Sequence, residues 1–369
     1  MFRVVETALF AVTYIAEHPM PSLSKSREDF CAIYVDMGTT NTRAWLMEGS
    51  RVIARESAPV GIRDSAREKS PKIIREALQD LIARIREGNS SPFRPTHIAA
   101  GGMISSSLGL AEVPHVPTPA GLDELSAAAQ WHQFEDISDL PILLVPGVRC
   151  GPTNPKIDQI DRVDVIRGEE TLCAGLVALN LVGRSGIVLN LGSHWKTIQL
   201  DEQGRVSSSI TALSGELIQA TQQQTILAGS VATNWPHGFS PEWIKSGMDL
   251  VRRSGLARAL FCARLLNLSH QGTPEDRLAF MVGAFIASDL DGLQKRSALK
   301  SQSEIGIIGH KALAEAWQFA LNDAGIPSSI IDSATVENAF LTGLRLILER
   351  ARHSLDRSSG HIIRRNFSS

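Results

Sequence analysis

The chain has 369 residues, of which 43% are apolar and 21% are charged, and 37 Lys plus Arg against 39 Asp plus Glu give a formal net charge of -2. This composition is typical of a folded globular protein and excludes a disordered chain, a collagen-like fibre and a disulfide-stapled miniprotein. At ~150 residues per domain the length predicts two or three domains, and the balanced charge provides no basic field for nucleic acid.

Residues 1–30 are predicted to form an N-terminal extension with a short helix and a polar linker. The apolar run at residues 8–16 follows Arg3, as in a signal peptide, but Glu6 interrupts the flank and no small-residue cleavage site follows. No apolar run approaches the ~20 residues that span a bilayer, so no membrane partner is expected. The four cysteines are scattered without metal-ligand spacing, which predicts a reduced, cytoplasmic compartment.

The first half of the chain alternates apolar strands with Gly-rich turns. Apolar runs bounded by Gly, Ser and Pro predict strands at residues 31–36, 42–48, 51–57, 97–100 and 140–145. Apolar residues at helical spacing predict helices at residues 72–86 and 169–181.

The second half opens with the same order of strand, small-residue turn and returning strand. Strands are predicted at residues 186–191, 194–200, 206–213, 304–308 and 329–331. A largely helical stretch at 215–293 and helices at 311–324 and 335–350 complete it. The pattern predicts two α/β domains, at residues 31–140 and 141–353, with a linker region within 130–183 and a polar tail at 354–369.

The strongest chemical signal is the sequence DMGTTNTR at residues 36–43, directly after an apolar strand. A tight turn at Gly38 lets the backbone approach a ligand, and exposed N–H groups and threonine hydroxyls donate to phosphate oxygens. Asp36, at the strand end, is the kind of hard oxygen ligand that holds Mg²⁺ through a water. Alone, the motif would be better explained as a plain hairpin with an Asp-capped turn. The candidate nucleotide-binding residues here are Asp36, Gly38, Thr39, Thr40, Asn41 and Arg43.

Residues 191–196 (LGSHWK) repeat this design in the second half, so two phosphate-type hairpins would clamp one triphosphate. Gly192 and Ser193 form the turn. His194 and Lys196 lie two apart on a strand and share a face, from which they would contact the γ-phosphate or a substrate; a structural histidine is the alternative. Gly309 marks a third strand-to-helix junction that would face adenosine, or else form a simple turn.

The segment DVIRGEET at residues 164–171 places three carboxylates and one guanidinium at a predicted helix start. Phosphoryl transfer needs positioning, charge neutralisation and a carboxylate that accepts the hydroxyl proton. Asp164, Glu169 and Glu170 are therefore candidate bases, although acids in a first helical turn also simply favour the helix dipole. Arg167 would pair with a substrate carboxylate or phosphate, or with a neighbouring acid.

The DMGTTNTR hairpin, the second hairpin and the strand-to-helix junction at Gly309, in this order, resemble the actin-like ATPase and sugar-kinase superfamily. Within it, the chain is similar to the 2-dehydro-3-deoxygalactonokinase family from about residue 31 to about residue 350. The segments that carry this similarity are residues 36–45, 101–103, 146–147, 164–171, 192–196 and 214–217. Four positions depart from the usual family residues: Leu110 for an aromatic residue, His115 for Tyr, Leu191 for Pro and Trp195 for a small residue. These departures leave the exact sugar acid open.

The resemblance implies two actin-like (ribonuclease H-like) α/β domains around a central cleft. It implies ATP and Mg²⁺ as cofactors and transfer of the γ-phosphoryl group to the 6-hydroxyl of 2-dehydro-3-deoxy-D-galactonate. The base sits at a comparable loop-to-helix position in the superfamily, which makes Asp164 and Glu169 the leading candidates. Gly101, Gly102, Met103 and Ser105 would contact the sugar, although loop flexibility explains the small residues equally well.

Two other functions are compatible with these residues. One is a phosphatase of the same superfamily that acts on polyphosphate or a nucleotide. The other is a nucleotide-binding regulator that has lost catalysis. ATP and a small sugar acid are the expected partners, and a homodimer is left open because no apolar stripe identifies an interface.

Overall fold

The structure is a computed structural model that describes residues 31–88, 94–299, 304–357 and 363–364. The predicted N-terminal extension at residues 1–30 lies outside the described residues, as does most of the predicted polar tail. The strands are β1 (Cys31–Met37), β2 (Thr42–Glu48), β3 (Arg51–Ala58), β4 (His97–Gly102), β5 (Val116–Pro117), β6 (Gln130–Gln133), β7 (Ile142–Leu144), β8 (Val148–Cys150), β9 (Asp164–Ile166), β10 (Ile187–Leu191), β11 (Trp195–Leu200), β12 (Val206–Ala212), β13 (Ile305–Gly309), β14 (Ser328–Ile330) and β15 (Ile363–Arg364).

The helices surround these strands. They are α1 (Ile62–Glu68), α2 (Lys72–Glu87), α3 (Leu122–Ala128), α4 (Glu169–Ala178), α5 (Ser214–Gln224), α6 (Pro241–Ser254), α7 (Leu256–Leu268), α8 (Pro274–Lys295), α9 (Lys311–Asp323) and α10 (Ser333–Arg357). None of them, over the residues described, is both long and apolar enough to cross a membrane.

Two sheets share the order of five of their strands. The first runs β3-β2-β1-β4-β7-β6-β15, and the second runs β12-β11-β10-β13-β14. In each, three antiparallel strands are followed by a parallel strand beside the first of them. The repeated order of strand, turn and returning strand that the sequence predicts is therefore present in both halves. Because β7 pairs with β4, a domain limit at residue 140 would separate two neighbouring strands of one sheet.

A third sheet of order β5-β8-β9 has strands of only two or three residues. These strands were not predicted from the sequence, because so short a segment carries no measurable hydrophobic period. The sheet places Asp164, the first residue of β9, next to the start of α4.

Helices α4 and α10 cross in direct backbone contact. A Cβ atom added at Gly175 would lie 1.7 Å from the carbonyl oxygen of Ala339, and one added at Gly343 would lie 2.0 Å from that of Thr171. Phe340 of α10 also packs its ring 6.4 Å from that of Trp45 on β2. This crossing connects the second sheet, from which α10 emerges, with the first, and directs the first turns of both helices toward the same space.

Candidate active site

Both hairpins and the first turn of α4 line one cavity of about 1300 Å³. The predicted site residues that line it are Asp36, Gly38, Thr39, Arg43, Gly102, Met103, Asp164, Arg167, Glu169, Gly192, His194, Lys196 and Gly309. The predicted site residues that do not line it are Thr40, Asn41, Gly101, Ser105, Glu170 and Ser193. The fold thus places Asp36 and Gly309, which are more than 270 positions apart in the chain, at the same cavity.

The first hairpin is a tight turn docked on helix α1. The Gly38 N–H donates to the Asn41 carbonyl at 2.9 Å, while the carbonyls of Gly38 and Thr39 accept from the first amides of α1 at 3.2 and 3.0 Å. Thr40 and Asn41 lie exposed at the tip. Helix α1, which the sequence analysis missed, therefore fixes the turn from behind.

Asp36 and Arg43 face each other across β1 and β2. Burial raises the pKa of Asp36 to about 6, Arg43 opposes this rise, and the nearby carboxylate of Glu169 adds to it. The second sheet has the same arrangement, with Asn190 opposite Lys196. Asn190 was not predicted as a site residue from the sequence. It occupies the position in the second half that Asp36 occupies in the first, so an alignment of the two strand–turn–strand segments would have identified it.

Glu169 faces the cavity and is held by three neighbours. Its carboxylate accepts from Lys196 Nζ at 2.7 Å, from the backbone N–H of Arg167 at 3.1 Å and from Asn190 Nδ2 at 3.4 Å. Asp164 also lines the cavity, and its Oδ2 accepts from the hydroxyls of Ser209 at 2.6 Å and Thr211 at 3.0 Å.

Glu170 points away from the cavity and is 1% exposed. Both of its carboxylate oxygens lie 2.8 Å from the backbone nitrogen of Gly168, which donates to them, and Thr171 Oγ1 donates to one of them at 3.2 Å. Burial, followed by repulsion from Glu169, raises the pKa of Glu170 to about 7. Glu170 thus lies beneath the start of α4, where its carboxylate accepts from the Gly168 N–H. It is not on the cavity wall where a substrate would bind.

The guanidinium group of Arg167 is held by oxygen atoms of the loop of residues 103–115. It donates to the carbonyl and hydroxyl oxygens of Ser105 at 2.5 and 2.7 Å, to the Val113 carbonyl at 3.2 Å, and lies 3.2 Å from His115 Nε2. Burial and the adjacent guanidinium lower the pKa of His115. Among the described residues, no acidic side chain forms a salt bridge with Arg167. Its guanidinium group ties the loop of residues 103–115 to the start of α4.

The second hairpin is linked to the first half through Glu216. Glu216 Oε1 lies 3.6 Å from His194 Nε2 and 3.6 Å from Arg63 Nη2 on α1. The Ser193 carbonyl accepts from the Glu216 N–H at 2.8 Å. Gly192 and His194 line the cavity, whereas Ser193 does not.

Gly309 lies at the end of β13, on the side of the cavity lined by the first turn of α10. There, Arg55 of β3 donates to Glu337 of α10 at 2.9 Å. This pair was not predicted from the sequence, because no local pattern connects two residues 282 positions apart.

Two sheets that share the order of five strands, and that each place a small-residue hairpin at one common cavity, define a protein of the actin-like ATPase and sugar-kinase class. The predicted α/β fold class is thereby confirmed. The sequence matches the model of the 2-keto-3-deoxy-galactonokinase family over residues 36–347, and the chain belongs to this family. It is therefore an enzyme of the phosphotransferase class that uses an alcohol group as acceptor.

Two individual proteins are similar to this chain over most of its length. The 2-dehydro-3-deoxygalactonokinase of Escherichia coli K12 is 24% identical over 316 residues, which cover 85% of this chain and 96% of that protein. A crystal structure from Sinorhizobium meliloti, provisionally described as a 2-dehydro-3-deoxygalactonokinase, is 24% identical with a TM-score of 0.67 and covers 88% of this chain and 99% of its own.

Proposed function

We propose that this chain transfers the γ-phosphoryl group of ATP to the 6-hydroxyl of 2-dehydro-3-deoxy-D-galactonate and releases ADP and the 6-phosphate. The observation that carries the proposal is the meeting of the hairpins at residues 36–43 and 192–196 in one cavity that also receives Glu169. Phosphoryl transfer depends mainly on positioning and charge stabilisation, and this arrangement supplies both. A volume of about 1300 Å³ accommodates a nucleotide and a sugar acid together.

In this proposal the two hairpins hold the phosphate chain from opposite sides. Gly38 and Thr39 contact it from the first sheet, Gly192 and His194 contact it from the second, and Gly309 faces the adenosine. Arg43 has no ion-pair partner within the described residues, whereas Arg55 and Lys196 are both paired, so its guanidinium is available for a phosphate.

The donors present fit Mg²⁺. Asp36 and Glu169 bring two carboxylates close enough to raise the pKa of Asp36, and a divalent cation would relieve this repulsion. Over the part of the chain that is described, no three acidic, His or Cys side chains form a ready-made metal cluster. Mg²⁺ in kinases is usually held by one or two carboxylates together with substrate phosphates. Bound at Asp36 through water, it would neutralise negative charge on the phosphates.

We assign the general base to Glu169. It contacts Lys196 of the second hairpin and lies near Asp36 of the first, so a 6-hydroxyl bound beside it faces the phosphate end of the nucleotide. Its carboxylate accepts the hydroxyl proton as the oxygen bonds to the γ-phosphorus and the bond to ADP breaks. Lys196, at 2.7 Å, holds the carboxylate in this orientation. Asp164, fastened to β12 by two hydroxyls, is assigned to binding a sugar hydroxyl.

Arg167 acts in this proposal as a positioning residue. Through Ser105 and Val113 it holds the loop that carries Met103 and His115, which together with Gly102 form the sugar side of the cavity. The sugar acid therefore binds against a wall whose position depends on the start of α4, the element that carries the base.

The test is turnover of the purified chain with ATP, Mg²⁺ and a panel of sugar acids, followed by ADP release and by mass spectrometry of the phosphorylated product. We expect stoichiometric ADP and 6-phosphate with 2-dehydro-3-deoxy-D-galactonate, no turnover with its 6-deoxy analogue, and loss of activity on chelation of Mg²⁺. Phosphate release without any sugar acid would contradict the proposal, as would nucleotide binding without transfer to any acceptor.

We also propose a cytoplasmic location, which the free thiols of Cys150, Cys173 and Cys262 support. The formation of a homodimer stays a prediction. Measurement of the molecular mass of the chain in solution will test it.

A further inference from the structure

A half-buried carboxylate in the second half of the chain reaches the first turn of helix α5. Asp289, on α8, accepts a hydrogen bond from Ser214 Oγ at 2.6 Å. Ser214 is the first residue of α5 and is 4% exposed. Burial raises the pKa of Asp289 to about 6, and the hydrogen bond from Ser214 opposes that rise. The pair fastens the start of α5 to the helix that runs through the core of the second half.

The next two residues of α5 lie directly on the second phosphate hairpin. A Cβ atom added at Gly215 would lie 2.3 Å from the Gly192 carbonyl oxygen and 2.5 Å from that of Ser193, so only glycine allows this approach. The Glu216 N–H donates to the Ser193 carbonyl at 2.8 Å. The backbone of the hairpin is therefore held by the same helical turn that Asp289 holds through Ser214.

We propose that Asp289 is a positioning residue for nucleotide binding. Through Ser214 it fixes the first turn of α5, and this turn holds Gly192 and Ser193 in the conformation that contacts the phosphates. The inference rests on the proposed function, because it assigns a purpose to the nucleotide side of that site. Asp289 does not line the active-site cavity; it lines a separate cavity of about 140 Å³, so its effect is transmitted through the backbone of α5.

The physical reason is the satisfaction of buried polar groups. Removing the carboxylate leaves the Ser214 hydroxyl without its acceptor in a buried position, and the first turn of α5 can then shift to find another partner. A shift of this turn moves the hairpin, because the backbone of Gly215 is in close contact with the carbonyl oxygens of Gly192 and Ser193. The sugar side of the site, built from the loop at residues 103–115, makes none of these contacts.

The test compares Ser214→Ala, Asp289→Leu, Asp289→Asn and Ser288→Ala with the unsubstituted chain. The dissociation constant of a non-hydrolysable ATP analogue is measured by calorimetry, the KM for the sugar acid by turnover, and the Tm by thermal unfolding. Ser214→Ala and Asp289→Leu should raise the nucleotide Kd about three- to tenfold with the sugar-acid KM unchanged. Asp289→Asn keeps an oxygen acceptor for Ser214 and should restore nearly normal affinity. Ser288, beside Asp289 in the same small cavity, is the matched control and should have no effect.

The inference is overturned if Ser214→Ala binds the analogue as tightly as the unsubstituted chain, a result that leaves the proposed function intact. It is also overturned if nucleotide Kd and sugar-acid KM rise in parallel with a falling Tm, because that pattern indicates general destabilisation. If the unsubstituted chain binds no nucleotide at all, the proposed function fails and this inference fails with it.

Discussion

The amine of Lys196 lies 2.7 Å from a carboxylate oxygen of Glu169, and the two side chains are only 14% and 13% exposed. This ion pair joins the second sheet to the first turn of α4. It is screened little by salt because water reaches it poorly. The pair therefore holds the proposed base at a constant position relative to the second phosphate hairpin, which begins only a few residues before Lys196.

Replacement of Glu169 by Gln should abolish most turnover. Loss of a general base lowers kcat about 10²- to 10⁴-fold, while nucleotide affinity should change little because the amide keeps the shape of the side chain. Steady-state kinetics and calorimetry measure the two effects separately. Asp164→Asn is the matched comparison and should raise the sugar-acid KM more than it lowers kcat. A larger kcat loss in Asp164→Asn than in Glu169→Gln would transfer the role of base to Asp164.

Replacement of Arg167 by Lys should weaken sugar binding without affecting the nucleotide. A lysine amine cannot reach the oxygens of Ser105 and Val113 together, so the loop at residues 103–115 loses its anchor. We expect a sugar-acid KM raised roughly tenfold, the effect of losing about 1.4 kcal/mol of binding energy. Arg55→Met is the comparison variant: Arg55 lines the same cavity, where it pairs with Glu337 of α10, and its replacement should alter nucleotide affinity instead. Equal effects of Arg167→Lys on both ligands would argue against a role confined to the loop.

Replacement of Glu170 by Gln should make folding stability less sensitive to pH. The folded chain holds a proton on Glu170 up to a pKa of about 7, above its ordinary value of 4.5. Its contribution to stability is therefore present below about pH 4.5 and is lost as the pH rises through 7. Gln carries no charge at any pH, so the stability of Glu170→Gln relative to the unsubstituted chain should increase between pH 5 and pH 8 by on the order of 2 kcal/mol. Urea unfolding at several pH values tests this, and a constant difference would contradict it.

Replacement of Gly175 by Ala should destabilise the crossing of α4 and α10. The added methyl group would lie 1.7 Å from a backbone carbonyl oxygen, so the helices must separate, and we expect a loss of about 2–4 kcal/mol. Gly292→Ala is the matched helical control, because a Cβ there has nothing within 4 Å and Ala favours a helix by about 1 kcal/mol. Urea unfolding measures both. Equal stabilities of the two variants would refute the packing argument.

The elements with strong local signals were predicted closely. The strand predicted at residues 31–36 is β1 (Cys31–Met37), and the helix predicted at 72–86 is α2 (Lys72–Glu87). Both depend on the spacing of apolar residues within a few positions. The short helix α1 and the strands β5, β8 and β9 have too few residues for any period to show, so they were missed.

The sequence by itself determined the two hairpins and the acidic helix start, because a turn or a helix terminus depends on residues a few positions apart. Only the tertiary structure decided that Glu169 faces the cavity while Glu170 lies 1% exposed beneath it, since successive helical residues point about 100° apart and the packing of α4 against α10 selects one direction. It also decided that Arg167 holds Ser105, 62 positions away, and not a neighbouring acid. Such partners are chosen by the free energy of burying and pairing polar groups across the whole fold, which no local pattern records.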